Sequence, residues 1–382
     1  MYKLFVKFCA VLLALTVLIL VYLQLIDVKP ALSKMLNATS LNQSTIVAPL
    51  SSKAQESATN AIVDIDLKVQ SEKGPDLRKD HPKSHGLVWG EFNVEKNIPQ
   101  SLKVGIFSQP KTYPTWVRFS SASDAEKRGK FKSDLDPDVR ALAIKLMNIT
   151  GKKVMDDEQE TQDFLLINHP TFFARDAQGF ANLMKASVGK ADAEEIRSLA
   201  PTFEALKTIT SKKVSNPLLI QYWSTTPYQL GSQPIKFSVK PHQQETSSAK
   251  PTSENYLREA MVNYLSVEGK DATFDFLVQL YIDDEKTPIE DPMQEWQEKD
   301  SPFIKLATLK IPAQKFNFAE RERRNEALSF MPWHSLPEHA PLGGINLARK
   351  QVYQVMANAR RGYMKHRAEE PQAYRSVLDD PK

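Results

Sequence analysis

The chain of 382 residues contains a single cysteine, Cys9, which lies inside an apolar N-terminal run. Because no other thiol is available, disulfide scaffolds, zinc ribbons, iron–sulfur clusters and cysteine nucleophiles are excluded for the globular part. The chain also lacks a dense basic block, since 50 Lys and Arg against 46 Asp and Glu leave a formal charge of only +4. We therefore expect no nucleic-acid partner.

The N-terminal region, 1–29, contains the longest apolar run. Residues 8–26 are almost continuously apolar, about the length that crosses a hydrocarbon core, and they follow Lys3 and Lys7. Residues 27–30 show no small-residue cleavage pattern, which favours an uncleaved membrane anchor over a cleaved signal peptide. The positive-inside rule then places the globular body on the non-cytoplasmic side, in a periplasm or lumen, and cleavage would make the protein secreted.

Aromatic residues are absent from 30–70, where Ser, Thr, Asn, Gln and Ala are frequent. This composition predicts a flexible polar linker. Aromatic and aliphatic residues then continue at steady density from Leu77 to about Tyr363. The distribution predicts one large domain over 71–366 and a C-terminal tail over 367–382.

Partial alternation of apolar residues and enrichment in β-branched or aromatic residues predict seven strands. They are 88–94, 115–120, 142–147, 163–167, 235–239, 273–282 and 304–311. Helical spacing is found at 177–187, 192–206, 253–265, 319–326 and 346–361. Because the strands are mostly grouped, with helices between or after them, the pattern favours an α+β fold with an antiparallel sheet. Periodicity does not decide whether the sheet closes into a barrel.

The last predicted helix carries the most informative pattern. Arg349, Tyr353 and Arg360 stand four and seven residues apart and fall on one stripe of this helix, which begins after Gly343 with Asn346 as an acceptable N-cap. Two guanidinium groups beside a phenol favour the phenolate, which is a hard anionic ligand for ferric iron. Taken alone, the pattern also fits an ordinary amphipathic helix with salt-bridging arginines.

Four further motifs lie upstream, and together with this helix they follow one order along the chain. They are R-x-x-H-x-K at 78–83, V-R-F-S at 117–120, D-x-R-x-x-A-I-K at 138–145 and P-x-F-F-x-R-D at 170–176. In this order the motifs resemble the haem-pocket motifs of the catalase superfamily, over about 77–180 and again 330–361. The chain is short for a full-length catalase and more closely resembles the smaller catalase-related proteins, a branch that includes catalase-like allene oxide synthases.

The resemblance implies a catalase-like antiparallel β-barrel with surrounding helices that binds haem b. Tyr353 would be the axial ligand of the haem iron, and Arg349 would hold its phenol ionised. The resemblance further implies His81 as the distal base, Ser120 as its hydrogen-bond partner and Asn168 as a ligand of the outer peroxide oxygen. The remaining cofactor-binding residues would be three arginines at the haem propionates and one ring on the porphyrin face: Arg78, Arg118, Arg360 and Phe180.

Two positions depart from the family pattern. The family has its catalytic Asn first in an N-N-T-P run, whereas this chain has Ile167, Asn168 and then His169, so strict register puts Ile167 in that place. The spacing after the distal histidine leaves His85 open as an alternative, although R-x-x-H-x-K favours His81. The pair His334 and His339 lacks metalloprotease spacing and contains Pro337, which predicts a loop.

These features predict a membrane-anchored haem enzyme that decomposes hydrogen peroxide or uses it to oxidise a small donor. A second hypothesis keeps the haem and makes the protein a fatty-acid hydroperoxide isomerase or lyase. A third is a non-enzymatic haem-binding module tethered to the membrane. The predicted partners are a peroxide substrate and the membrane, and the oligomeric state is left open, with a homodimer as one option.

Overall fold

The computed structural model describes residues 49–74, 76–123, 125, 129–243, 251–364 and 370–371. Nine strands are found within these ranges. They are β1 (Lys83–Val94), β2 (Thr112–Ser121), β3 (Arg140–Leu146), β4 (Gln162–Ile167), β5 (Tyr222–Trp223), β6 (Tyr228–Leu230), β7 (Gln233–Pro241), β8 (Ala272–Leu280) and β9 (Ile304–Ile311). All seven predicted strands are present, and β5 and β6 were missed because runs of two or three residues carry no periodicity.

The strands form an antiparallel barrel. β1 to β4 pair in sequence order, β1 also pairs with β9, and β9 continues through β8 to β7. The two residues of β5 close the barrel by pairing with both β4 and β7, while β6 pairs on the other side of β7. The predicted α+β fold with an antiparallel sheet is therefore confirmed, and the sheet is an eight-stranded barrel.

The barrel interior is filled by alternate residues of each strand. On β2, Val117 and Phe119 belong to the barrel core, whereas Trp116 packs in a separate cluster on the outer face. Aromatic rings dominate the interior: the rings of Phe164 and Phe276 lie 4.9 Å apart, and further rings pack around them. The side chains of β2 that do not fill the core, including Arg118 and Ser120, are thus available to a site outside the barrel.

Seven helices complete the described part of the chain. They are α1 (Ser52–Lys73), α2 (Ala177–Ser187), α3 (Ala193–Ser198), α4 (Ala200–Thr210), α5 (Tyr256–Val262, continued by a π-helical turn at Asn263–Val267), α6 (Ala319–Ala327) and α7 (Gly344–Met364). The five predicted helical regions are all helical. The region predicted over 192–206 is divided into α3 and α4, with Leu199 between them.

Helix α1 corrects the linker prediction. Residues 30–48 lie outside the described residues, but Ser52–Lys73 is helical, with the Ser51 hydroxyl accepting a hydrogen bond from the Ala54 amide at its start. One face of α1, including Ala58 and Ile62, packs with residues of α2 and α7. The flexible-linker prediction is therefore wrong from Ser52 onward. Composition failed here because the buried apolar residues, Ile62, Val63, Ile65 and Val69 among them, form only a narrow stripe on an otherwise polar helix.

The predicted membrane segment at 8–26 lies outside the described residues. Among the helices that the structure describes, none is both long and apolar enough to span a bilayer. Of the predicted C-terminal tail, 370–371 is described, and the Glu370 carboxylate accepts hydrogen bonds from the backbone amides of Gln159 and Glu160. Part of the tail therefore contacts the domain.

Candidate functional site

The outer face of β2, β3 and β4 forms the floor of the candidate site. Antiparallel register places Ser120, Ala141 and Ile167 in one cross-strand row. The next row contains Arg118 with two apolar residues, Ala143 and Leu165. Because directly paired residues of an antiparallel sheet point to the same face, the motif residues of β2 share this face with Ile167.

His81 lies just before β1 at the edge of this floor. Its Nδ1 is 3.4 Å from the Ser120 hydroxyl, and its carbonyl accepts a 2.9 Å hydrogen bond from Arg118. The backbone of His81 has a φ of 56°, a left-handed conformation that fixes the direction of the ring against the strand. Burial lowers the pKa of His81 to about 4, so the imidazole is neutral at neutral pH.

His85 belongs to a different network. It is fully buried in a register shift of β1, and its Nε2 lies 2.8 Å from the hydroxyl of Ser121 rather than Ser120. Consecutive residues of a strand point to opposite faces, so the partners of His81 and His85 lie on opposite sides of β2. This geometry favours His81 over His85 as the histidine of the candidate site.

The three arginines predicted to bind propionates come together on one segment. Arg78 donates to the carbonyls of Asn325 and Leu328, Arg360 to those of Glu326 and Leu328, and Arg118 to the side-chain amide oxygen of Asn325. We refer to Arg78, Arg118 and Arg360 as the arginine cluster. It joins residues from the start of the domain, from β2 and from α7.

The arginine cluster holds three cations that form no ion pair within the described part of the chain, although the Glu326 carboxylate acts on all three at longer range and raises their pKa. Arg118 and Arg360 are 3% and 2% exposed, and within the described ranges no carboxylate lies at ion-pair distance from any of the three guanidinium groups. Burial, followed by repulsion from Arg78, lowers the pKa of Arg118 to about 9 and that of Arg360 to about 8. Buried cations held only by neutral oxygens are costly, so this arrangement calls for an anionic ligand.

Helix α7 carries the predicted axial tyrosine. The Arg349 guanidinium lies 3.4 Å from the Tyr353 hydroxyl and 5.3 Å from its ring centroid. Burial opposes the charged form of Arg349, but the phenols of Tyr353 and Tyr228 raise its pKa overall. The Tyr353 hydroxyl therefore lies beside a guanidinium that stays charged, as the spacing of the two residues predicts.

Further groups fix Arg349. It donates to Thr226, Tyr228 and Asn346 at 3.0–3.3 Å. Asn346 is not the N-cap predicted from the sequence, because α7 begins at Gly344 and the Asn346 side chain is fully buried between Arg349, Thr226 and two backbone carbonyls. Sequence reasoning missed Thr226 and Tyr228, since no motif surrounds them.

The surroundings of α7 connect the parts of the site. Tyr353 is half-buried against a cluster of Met155, Met331 and Trp333. Arg360, about two turns further along α7, reaches the arginine cluster. The charge of Arg349 also contributes to lowering the pKa of His81, so the tyrosine and histidine sides are within electrostatic reach of one another.

Phe180 packs against the same helix. It lies on α2 and contacts the apolar cluster that includes Val352 and Met356 of α7. The rings of Phe172 and Phe173 lie 5.9 Å and 5.7 Å from its own. The structure thus brings Phe180 to the helix of Tyr353, within a half-buried aromatic trio of Phe172, Phe173 and Phe180.

Asn168 is placed differently from the prediction. The backbone N–H of Asn168 donates to the Arg140 carbonyl at 2.9 Å, and the side-chain oxygen of Asn168 accepts from the backbone N–H of Arg140 at 3.0 Å. These two hydrogen bonds end the pairing of β3 and β4. Ile167 is the residue in the row with Ser120. One residue of shift moves a side chain to the other face of a sheet, so Asn168 does not join the row of Ser120. Its side-chain nitrogen is buried without a hydrogen-bond partner among the described residues, and its role at the outer peroxide oxygen stays a prediction.

A second charged cluster lies on the same outer face, and we call Lys145, Asp157, Glu158, Asp163 and His334 the Lys145 cluster. The Lys145 ammonium contacts Glu158 and lies 2.8 Å from Asp163, and His334 bridges Asp163 at 2.9 Å and Asp157 at 3.1 Å. Glu158, Asp163 and His334 are close enough to share a metal ion, but the ammonium already lies among them. Each cation therefore has carboxylate partners.

The histidine pair near residue 336 is not a metal motif. His334 belongs to the Lys145 cluster, whereas His339 lies in a 3-10 turn at Pro337–His339 and accepts a 3.0 Å hydrogen bond from the Ile106 amide. The predicted loop is confirmed, and both side chains are held by protein groups.

Comparisons with known proteins agree with the fold. The family model described as Catalase matches residues 61–210. The solved structures that match include a bacterial catalase at 18% identity (TM-score 0.58, covering 81% of this chain and 63% of that one). They also include a fungal catalase at 16% identity (TM-score 0.59, covering 79% and 62%) and catalase A from Saccharomyces cerevisiae at 16% identity (TM-score 0.60, covering 79% and 64%).

The chain thus spans less than two thirds of the length of these catalases. A comparison with curated proteins finds no match. At such low identity the structural matches establish the fold, and the family match covers the region from α1 to the end of α4.

Proposed function

We propose that this chain, whose residues 61–210 match the family model described as Catalase, is a member of the catalase superfamily and a haem-dependent oxidoreductase that acts on peroxides. The observation that carries the proposal is the arginine cluster, in which buried guanidinium groups converge and none of them forms an ion pair with a carboxylate of the described residues. Haem has two propionates, and a dianion at this position would neutralise the buried charge.

The residues present fit haem b. Arg78, Arg118 and Arg360 would bind the propionates, and the Tyr353 hydroxyl, beside the Arg349 guanidinium, would hold the iron. Phe180 lies on the helix that packs against α7, consistent with a ring that stacks on the porphyrin. The haem would supply the redox centre at which the O–O bond of a peroxide is broken.

The polypeptide would supply the proton transfer. His81 is neutral near pH 7, so its Nε2 can accept a proton from the inner oxygen of a hydroperoxide and return it to the outer oxygen. Protonation makes the outer oxygen a better leaving group. The Ser120 hydroxyl at Nδ1 would keep the ring in one tautomer and orientation.

Ile167 on the floor of the site and an aromatic group beside α7 bear on which peroxide the protein would use. Ile167 stands in the row with Ser120 and offers no hydrogen-bond donor to the outer oxygen. The aromatic trio of Phe172, Phe173 and Phe180 adds half-buried apolar surface near α7. An apolar site suits an acyl chain. These features therefore favour a second candidate function, that of a fatty-acid hydroperoxide isomerase or lyase.

The test uses the full-length protein loaded with haemin. Tyr353→Phe should change the ferric Soret spectrum by removing the axial phenolate, whereas Tyr363→Phe, at an exposed tyrosine of the same helix, should leave it unchanged. A spectrum of Tyr353→Phe identical to wild type would reject the assigned ligand. Oxygen evolution from hydrogen peroxide, compared with consumption of a fatty-acid hydroperoxide, would then distinguish the two activities.

The assignment of His81 rather than His85 as the proton-transferring histidine is tested by comparing variants of the two residues. His81→Gln should abolish peroxide turnover, and His85→Gln should keep most of it in whatever fraction folds. Loss of turnover only in His85→Gln would reverse the assignment.

The membrane anchor at 8–26, the non-cytoplasmic location and a homodimer remain predictions, which membrane fractionation and the mass of the solubilised protein would test.

A further inference from the structure

A cavity of about 60 Å³ lies outside the barrel, between β5, β7, β8 and the segment that follows β8. Lys236 of β7 and Gln279 of β8 pair directly across the sheet and both line it, together with Trp296. A cavity needs only about 10–15 Å³ to admit a water molecule, so this one has room for a ligand of a few heavy atoms. None of these residues belongs to the proposed haem site.

Lys236 is the unusual group in this cavity. It is 4% exposed, and its ammonium donates to the Gln294 carbonyl at 3.3 Å and lies 5.1 Å from the Trp296 ring centroid. Within the described ranges no carboxylate is at ion-pair distance from it. An ammonium has three N–H donors, and one long hydrogen bond satisfies few of them.

The amine form of Lys236 is therefore accessible. Burial lowers its pKa to about 7, against the opposing effect of Asp291 and Glu295. An exposed lysine has a pKa of about 10.4, so less than about 0.1% of it is unprotonated at pH 7. Lys236 would be about half unprotonated at that pH, and a neutral amine is a nucleophile.

The rest of the lining limits the kind of ligand. Exposed Glu295 and Glu298 line the cavity where it meets solvent, and their carboxylates disfavour an anionic ligand. Thr225, a β-branched residue with a φ of 60°, also lines the cavity. Backbone strain of this kind is found where the surrounding structure maintains a particular shape, often at binding sites.

We propose that Lys236 is a carbonyl-reactive lysine that binds small neutral aldehydes in this cavity as imines. The amine nitrogen forms a bond to the carbonyl carbon, and the carbonyl oxygen leaves as water with the two amine hydrogens. No oxidant or reductant is consumed. The carboxylate of Glu295 can exchange with solvent the protons that this dehydration requires.

The test measures alkylation of individual lysines in the folded full-length protein. The protein is incubated with acetaldehyde and sodium cyanoborohydride at pH 7, and ethylated lysines are quantified by peptide mass spectrometry. Lys236 should react at least about tenfold faster than Lys240, an exposed lysine of the same strand. Its rate should level off above about pH 8, while that of Lys240 continues to rise.

A bulky aromatic aldehyde provides the control for the cavity. It should modify Lys240 but not Lys236, because the cavity admits only small ligands. Lys236→Arg should remove the fast-reacting site and leave the rate at Lys240 unchanged. Because the mapping is done on the wild-type chain, poor folding of the variant does not affect the main result.

Either of two results would overturn the proposal. One is a Lys236 that reacts no faster than Lys240 in the folded protein. The other is a Lys236 that reacts only after unfolding in urea. Both outcomes are independent of haem binding, so they leave the proposed peroxide chemistry untouched.

Discussion

The arginine cluster lies on the same outer face of the barrel as the Lys145 cluster, but its guanidinium groups form no ion pairs with described residues, and the carboxylate of Glu326 acts on them only at longer range. Lys145 and Asp163 pair directly across β3 and β4, only two residues from the row of Arg118. In the Lys145 cluster every cation contacts a carboxylate, whereas the arginine cluster is held by carbonyl and amide oxygens. Neighbouring positions of one sheet therefore carry two kinds of buried charge.

The difference separates a structural role from a binding role. A buried ion cluster that contains both signs needs no ligand, and it ties β3 and β4 to the segment at Met331, whose amide donates to Asp163 at 2.8 Å. A buried cluster with an excess of one sign, three arginines to one carboxylate at longer range, is unfavourable until a further anion binds. Charge balance thus distinguishes Lys145 from Arg78 and Arg118, which in the sequence are all basic residues of the motifs quoted above.

The largest expected effect is in the Lys145 cluster. Lys145→Met leaves Glu158 and Asp163 buried without their cation, so the free energy of unfolding of the haem-free protein should fall by about 3–5 kcal/mol. Urea denaturation measures this loss. Lys240→Met, at an exposed position of β7, should change the same free energy by less than about 0.5 kcal/mol. An equal effect in both variants would contradict the structural role.

The pH dependence of stability should also come from the Lys145 cluster. Burial and Lys145 oppose protonation of His334, but hydrogen bonds to Asp157 and Asp163 raise its pKa to about 9. Because this pKa is above the ordinary 6.5, the contribution to stability is complete below about pH 6.5 and is lost as the pH rises through about 9.

Urea denaturation from pH 6 to 10 would measure this alkaline loss, of at most about 3 kcal/mol. In His334→Gln the alkaline decrease should be smaller, because the titrating group is gone. A decrease of the same size in wild type and variant would assign it to other groups.

In the arginine cluster the effect should fall on binding rather than on folding. Arg118→Met removes one of three mutually repelling cations, so the haem-free protein should change in stability by less than about 1 kcal/mol. Haemin affinity should fall about tenfold to a hundredfold, as expected for the loss of a charged hydrogen bond. Spectrophotometric titration with haemin measures this loss. A loss of stability as large as that of Lys145→Met would remove the distinction between the clusters.

The smallest expected effect concerns the floor of the site. Ile167→Asn would introduce an amide donor into the row of Ser120, so oxygen evolution from hydrogen peroxide should rise several-fold relative to consumption of a fatty-acid hydroperoxide. Ile282→Asn makes the same change at an exposed position and should leave this ratio unchanged. An unchanged ratio in Ile167→Asn would show that this position does not select the substrate.

Local sequence patterns predicted much of the fold. The alternation in 304–311 defines β9 without error, and the spacing in 177–187 defines α2 without error. The patterns failed where the local signal is weak: β5 has two residues, and α1 is polar apart from a narrow stripe. Pairing partners also lie outside local sequence, so barrel closure through β5 could not be read from periodicity.

For the candidate site, spacing was sufficient within one element and insufficient between elements. The sequence by itself determined that Arg349, Tyr353 and Arg360 share a stripe of α7, because helical periodicity fixes side-chain direction. Only the tertiary structure decided that His81 rather than His85 meets Ser120, that Ile167 rather than Asn168 joins their row, and that three distant arginines meet without an ion pair among the described residues. The physical reason is that strand register and long-range packing set these contacts, and a shift of one residue in register moves a side chain to the opposite face of the sheet.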